Sequence, residues 1–155
     1  MPAETEAPGV IAPPPLIYLG ALGAGFALEA ALPSASLPAA VRRPLGGALV
    51  LAGSALAGSF VRAFRRAGTP IPPYHPATAL VTTGPYRLTR NPGYVGMTLT
   101  YAGIAVLASA VWPLVTLPPA LLAIDRGVIA REERHLESRF GDEYRRYTAR
   151  VRRWL

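Results

Sequence analysis

Two adjacent carboxylates, Glu132 and Glu133, occupy positions where apolar side chains are expected. Apolar and aromatic residues recur here at three- and four-residue steps, which predicts an amphipathic helix. The recurring residues are Ile129, Leu136, Phe140, Tyr144, Tyr147, Val151 and Trp154. By this spacing both glutamates extend the apolar stripe. Because a carboxylate among apolar groups is costly unless paired, each requires a cation, either an arginine that holds the tail to a loop or a cationic ligand.

A second polar group lies in residues 84–96, which read Gly-Pro-Tyr-Arg-Leu-Thr-Arg-Asn-Pro-Gly-Tyr-Val-Gly. Asn91 followed by Pro92 favours an N-cap and the first residue of a helix. A helix N-terminus presents free N–H groups that can bind an anion, and Arg87 and Arg90 add positive charge. By themselves, these features also fit an ordinary helix cap flanked by positive-inside arginines.

Together the two groups describe a site for a zwitterion. One wall offers carboxylates, and the other offers arginine and a helix N-terminus. An amino-acid-like cofactor that carries an amine and a carboxylate fits such a site.

The surrounding sequence predicts a membrane protein. The chain has 155 residues, of which 51% are hydrophobic and 16% charged, whereas soluble domains carry about 25% charged residues. Residues 7–28, 44–61 and 91–124 contain no charge at all. The last window is too long for one helix across a hydrocarbon core of about 30 Å, and Trp112-Pro113 supplies a break. We therefore expect one all-α integral-membrane helical bundle over residues 1–155. Its expected transmembrane helices lie near 14–33, 44–64, 92–109 and 112–130.

The segments outside these helices carry most of the charge. Residues 1–13 are a flexible lead, the Pro-rich loop 62–91 cannot form a long helix, and the tail 131–155 is amphipathic and helical. Gly141-Asp142 is expected to interrupt the tail helix. With four spans, both termini and the 62–91 loop share one side, which holds 14 of the 16 arginines. The positive-inside rule then places both termini in the cytoplasm, with a bacterial-type inner membrane as the expected location.

Composition also excludes several kinds of site. The chain has no Cys and two His, which excludes disulfides and thiolate metal ligands, and no metal site is expected. The net charge is +7, but the distribution of arginine indicates a membrane surface rather than a nucleic-acid partner.

Residues 78–96 resemble the signature of the isoprenylcysteine carboxyl methyltransferase and phospholipid methyltransferase superfamily. Arg131-Glu132-Glu133, Phe140-Gly141-Asp142-Glu143-Tyr144 and Tyr147 resemble its second motif. The resemblance covers roughly residues 69–155. It implies methyl transfer dependent on S-adenosylmethionine at the membrane surface. In that family a cytosolic cofactor pocket is closed by the C-terminal segment, and a lipophilic substrate enters sideways between helices.

The resemblance also implies roles for individual residues. The implied cofactor contacts are Thr78, Ala79, Leu80, Val81, Tyr86, Asn91, Pro92, Gly93, Tyr94 and Glu132. The family's Arg-His-Pro reads Arg90-Asn91-Pro92 here, so the imidazole is lost. Val128 stands where isoprenylcysteine enzymes place a substrate-binding arginine. Since a sulfonium methyl is already electrophilic, in-line attack requires mainly that the acceptor is aligned and that water is excluded. A base is needed only for an amine acceptor. Glu133 and Arg90 are the catalytic candidates.

Several functions remain open from the sequence. The expected reaction is methyl transfer to a small or lipophilic acceptor, with membrane lipids as further partners. One alternative is phospholipid headgroup N-methylation, as against O- or S-methylation. Others are an NADPH-dependent membrane reductase of the sterol reductase type and a scaffold whose arginine-rich tail binds anionic lipid.

Overall fold

The computed structural model describes residues 9–71 and 77–155. The expected all-α membrane bundle is confirmed, since the described residues form helices and no strand. The α-helices are α1 Pro14–Ala31, α2 Ala39–Ala67, α3 Pro92–Leu107, α4 Trp112–Ile124 and α5 Ala130–Thr148. A 3₁₀ turn spans Gly84–Arg87, and a π-helical turn, Asp125–Ile129, joins α4 to α5 without a break. Residues 1–8 of the expected lead and residues 72–76 of the expected loop lie outside the described part.

Three helices are long and apolar enough to cross a membrane: α1, α2 and the continuous helix Trp112–Thr148. Helix α3 is apolar but shorter, with 16 residues, or about 24 Å. The continuous helix is longer than a bilayer needs, and its charged residues are concentrated in α5. The membrane-spanning part is therefore α4 with the π-helical turn, and α5 lies outside it.

Helix α2 is longer than the expected span at 44–64. It begins at Ala39, so that Pro44 lies inside its second turn, where the missing N–H removes a single backbone hydrogen bond. It ends at Gly68, which adopts the left-handed conformation (φ 63°) that suits glycine. The helix therefore takes the first residues of the segment expected to be loop.

Helices α2 and α3 pack through glycines. A Cβ atom added at Gly53 would lie 2.6 Å from the carbonyl oxygen of Gly96, and one at Gly103 would lie 2.8 Å from the backbone nitrogen of Val50. Gly25 of α1 is equally close to Pro113 of α4. Close backbone approach of this kind is how helices associate in lipid, where apolar burial gives no driving force between them.

The end of the bundle at which residues 84–92 meet residues 130–155 is called the site end. The core beneath it contains Tyr18, Tyr101, Ile124, Val128 and Ile129. Helix α5 bends at Gly141 (φ 50°, ψ −119°), which confirms the expected interruption. After Thr148, residues 149–155, the C-terminal strap, return to the loop that precedes α3. This return closes the site end.

Candidate active site

Glu132 lies in the first turn of α5 and is bound by a tyrosine. The Tyr94 hydroxyl, from the start of α3, donates to Glu132 Oε1 at 2.8 Å. Burial raises the pKa of Glu132 to about 7; the Tyr94 hydrogen bond opposes this shift, and the neighbouring Glu133 adds to it. Within 9–71 and 77–155, no arginine forms an ion pair with this carboxylate. The cation that the sequence requires is therefore not supplied by these residues.

Glu133 has the opposite environment, although it is the next residue. Arg153 of the C-terminal strap donates to both of its oxygens, Nε at 3.1 Å and Nη2 at 2.5 Å. Arg90 approaches it at 3.3 Å. Arginines of the chain thus neutralise Glu133 and attach both the strap and the 84–91 segment to α5.

Aromatic rings surround the segment beside Glu132. The Tyr86 ring lies 5.9 Å from that of Phe64 and 6.4 Å from that of Phe60, measured between centroids. Burial raises the pKa of the Tyr86 phenol well above its usual value, and the charge of Glu132 adds to this effect. A Cβ at Gly93 would lie 3.3 Å from the Phe60 ring. The predicted cofactor residues Tyr86, Gly93 and Glu132 thus belong to one aromatic and acidic region.

The prediction that Asn91 is the N-cap of α3 and Pro92 its first residue is confirmed. The residue does occupy the N-cap position, but its side chain makes no capping hydrogen bond. Instead, Nδ2 donates to the carbonyl oxygen of Arg153 at 2.8 Å, and Thr89 Oγ1 donates to the same oxygen at 3.0 Å. Pro92 follows and is fully buried. Asn91 therefore holds the C-terminal strap, because the strap offers a buried carbonyl that needs donors.

The stretch from Thr78 to Val81 is attached to the end of α2. The Thr78 backbone N–H donates to Thr69 Oγ1 at 3.0 Å, and the Val81 side chain is buried. Ala79 and Leu80 are partly exposed. In the described structure, no hydrogen bond joins this stretch to Glu132. Its contribution to a cofactor site stays a prediction.

Arg153 is a site residue that the sequence analysis missed. Besides Glu133, its guanidinium contacts Asp125 at 3.3 Å, and the Trp154 indole donates to Asp125 at 3.1 Å. The sequence signal was Asp125 itself, the first acidic residue after the uncharged 91–124 window. An acid at the end of a membrane helix, facing a tail rich in arginine, indicates an ion pair between the two.

These observations define a class: a helical membrane protein with an acidic, aromatic site at one end of its bundle. Within that class, the model of the family described as "Phospholipid methyltransferase" matches residues 41–143. This is about two thirds of the chain, and the protein belongs to that family, a family of membrane methyltransferases. The match includes both glutamates, and it confirms the resemblance inferred from the two motifs.

One relative among curated proteins is similar over a short stretch. An uncharacterized protein of Haemophilus influenzae is 66% identical over 35 residues, which are 23% of this chain and 56% of that protein. The chain thus matches little more than half the length of this relative. No solved structure matches the chain.

Proposed function

We propose that this protein transfers a methyl group from S-adenosylmethionine to a small or lipophilic acceptor at the membrane surface. The observation that carries the proposal is the environment of Glu132. Its carboxylate accepts a hydrogen bond from Tyr94 yet has no arginine partner among the described residues. A cationic ligand supplies the missing charge, and the amine of the cofactor is such a cation.

The residues around Glu132 fit this cofactor. Glu132 binds the amine, and the aromatic side chains of Tyr86 and Tyr94 contact the rest of the molecule. When bound, the cofactor supplies an electrophilic methyl group on a sulfonium. The chain's own residues align the acceptor with it and exclude water. Gly93 lacks a side chain where the Phe60 ring packs, and it thereby brings this ring against the start of α3.

The geometry favours a structural contribution for the two catalytic candidates. Both oxygens of Glu133 accept hydrogen bonds from the Arg153 guanidinium, so neither is available to a substrate while this pair is intact. Arg90 contacts Glu133 rather than Glu132. An amine acceptor that loses a proton to Glu133 therefore requires that this ion pair open first.

Phospholipid headgroup N-methylation is the second candidate. The cluster of Phe60, Phe64 and Tyr86 beside an unpaired carboxylate suits an ammonium group, because aromatic faces attract cations. Family membership favours methyl transfer over the reductase and the scaffold. Membrane lipid as partner and a bacterial-type inner membrane with cytoplasmic termini are parts of the proposal, supported by the arginine distribution.

The test is calorimetric titration of the detergent-solubilised protein with S-adenosylmethionine and with its demethylated product. We expect saturable binding, weakened at least about tenfold by Glu132→Gln, since hydrogen bonds to charged groups contribute about 1.5–3 kcal/mol. Glu143→Gln is the matched control because Glu143 lies on the same helix and is exposed. Equal binding by wild type and Glu132→Gln, or binding of NADPH alone, contradicts the proposal.

A further inference from the structure

A cavity of about 320 Å³ lies between the two arms of α5, residues 130–140 and 142–148, which diverge at the Gly141 bend. Its lining includes Arg90, Glu133, Arg134, Tyr144, Thr148 and Arg153. The volume is at the lower end of the range for small-molecule sites, about 300–1,000 Å³. Glu132 and the other implied cofactor contacts do not line it. It shares Arg90, Glu133 and Arg153 with the ion pairs described above, but it does not include Glu132.

Two hydrogen-bond donors in this cavity lack an acceptor. Tyr144 is 4% exposed, yet its buried hydroxyl has no hydrogen-bond partner within residues 9–71 and 77–155. The buried Nε of Arg90 has none either, and its guanidinium meets Glu133 only at 3.3 Å. Burial raises the pKa of Tyr144 to about 12, the charge of Glu133 adds to this shift and the adjacent Arg90 opposes it, so the phenol keeps its proton and can donate. Orphaned buried donors of this kind require acceptor atoms, since leaving them unpaired is costly.

The charges around the cavity favour an anion at this position. Arg90 and Arg153 both pair with Glu133, and all three residues line the cavity. Asp125 also pairs with Arg153 but does not line the cavity. A further arginine, Arg145, is offset by the exposed carboxylates of Glu137 and Asp142. Arg134 also lines the cavity and forms no ion pair among the described residues. Among the residues that line the cavity, four arginines (Arg90, Arg134, Arg145 and Arg153) face two glutamates (Glu133 and Glu137), so the lining carries two positive charges in excess, whereas Asp125 and Asp142 lie outside it.

We propose that this cavity binds the phosphate group of a phosphate-bearing ligand. Tyr144 donates from the second arm, Arg90 from the loop and Arg134 from the first arm; Thr148 also lines the cavity, but its hydroxyl donates to the carbonyl oxygen of Arg145. Donors on several sides of one centre suit a tetrahedral oxyanion, whereas a planar carboxylate is matched by one guanidinium fork. Inorganic phosphate and the phosphate ester of a lipid headgroup share this chemistry. The inference does not depend on methyl transfer, because phosphate binding requires no cofactor.

The test measures binding of two probes to the full chain in a phosphate-free, non-ionic detergent. Inorganic phosphate and a monoacyl glycerol phosphate are titrated by calorimetry, with acetate as the planar comparison. Tyr144→Phe removes only the hydroxyl, which has no partner in the described structure, so the fold is expected to persist with unchanged thermal stability. We expect this variant to weaken phosphate binding about tenfold and Arg134→Gln to weaken it several-fold. Arg146→Gln, an equal charge change at an exposed residue outside the cavity, should leave it unchanged.

The outcomes separate the sources and the alternatives. Much tighter binding of the lipid probe than of inorganic phosphate, with both weakened by Tyr144→Phe, assigns the site to lipid; comparable affinities assign it to free phosphate. No saturable binding by folded protein, or equal loss in Arg146→Gln, overturns the proposal in favour of water or general attraction to the tail. Acetate binding as tightly as phosphate overturns the tetrahedral assignment. Displacement of phosphate by S-adenosylmethionine shows that the cavity belongs to the cofactor and overturns it as well.

Discussion

Replacing Glu132 by glutamine should stabilise the protein without ligand while it weakens cofactor binding. The pKa of Glu132 lies at about 7, well above the value of about 4.3 for an exposed glutamate. Between these two pH values the unfolded chain loses the proton while the folded protein keeps it. The unfolded state therefore binds fewer protons, and stability falls as pH rises through this window. Above pH 7 Glu132 is ionised in both the folded and the unfolded protein, and stability falls no further with pH through this group.

The size of the effect follows from the shift. One pKa unit corresponds to about 1.36 kcal/mol, so the ionised carboxylate destabilises the folded protein by on the order of 3 kcal/mol at pH 8. Glutamine keeps an oxygen that can accept from Tyr94, and it carries no charge to desolvate. Relative to the variant, the free energy of unfolding of the wild type should fall by this amount between about pH 4.5 and 7. For a chain of this size, that corresponds to a melting temperature lower by several degrees.

The assay is thermal unfolding in detergent at half-unit intervals from pH 5 to 8, for wild type, Glu132→Gln and Glu143→Gln. Differences between wild type and variant isolate Glu132 from the other titrating groups. We expect the Glu132→Gln difference to grow toward pH 7 and then level off, and the Glu143→Gln difference to stay flat. If the wild-type and Glu132→Gln curves remain parallel throughout, the carboxylate already has a cationic partner, and the reasoning for a ligand amine fails.

Two further predictions concern the elements that hold the site. Arg153→Gln should lower the free energy of unfolding by about 1–2 kcal/mol, since this partly exposed arginine neutralises a half-buried carboxylate. In thermal unfolding, the double variant that also carries Glu133→Gln should recover part of this loss of stability. An additive loss in the double variant would contradict the pairing. Gly53→Val should prevent the close contact of α2 with α3 and abolish recovery of monodisperse protein, whereas Gly58→Val, at a position with open space, should be tolerated. Equal recovery of the two glycine variants in size-exclusion chromatography would refute the packing argument.

The bundle itself could be predicted from the sequence because its determinants are local. Uncharged windows, prolines and the Gly141 break act within a few residues, and the structure has helices where these patterns indicate them. Glycines are frequent in α1 and α2, but close packing does not occur at all of them. It occurs at Gly46 and Gly53, where α3 lies against them, but Gly20 and Gly23 meet nothing within 4 Å. Helical periodicity alone does not identify which glycines face a neighbouring helix.

The different environments of Glu132 and Glu133 could not be predicted. Adjacent residues on a helix point about 100° apart, and a broad apolar stripe accommodates both directions. The position of Arg153, 20 residues after Glu133, decides which of the two glutamates forms an ion pair. That position is set by the donors Thr89 and Asn91, which are distant in sequence. The hydrogen bond from the Asn91 side chain to the Arg153 carbonyl oxygen could not be predicted either, because local spacing indicates the cap position and not a distant partner.

No arginine pairs with Glu132 among the residues that the structure describes, and for Arg153 the contacts of the strap account for this. The chain has 16 arginines against nine acidic residues, so a shortage of cations does not explain it. Arg153 pairs with Glu133, which is next to Glu132 in the chain, but its carbonyl oxygen accepts hydrogen bonds from Thr89 and Asn91. Its guanidinium is divided between Glu133 and Asp125. Both ends of this residue are therefore engaged with partners other than Glu132. The strap therefore closes the site end through Glu133 and Asp125, while Glu132 keeps Tyr94 as its hydrogen-bond partner among the described residues.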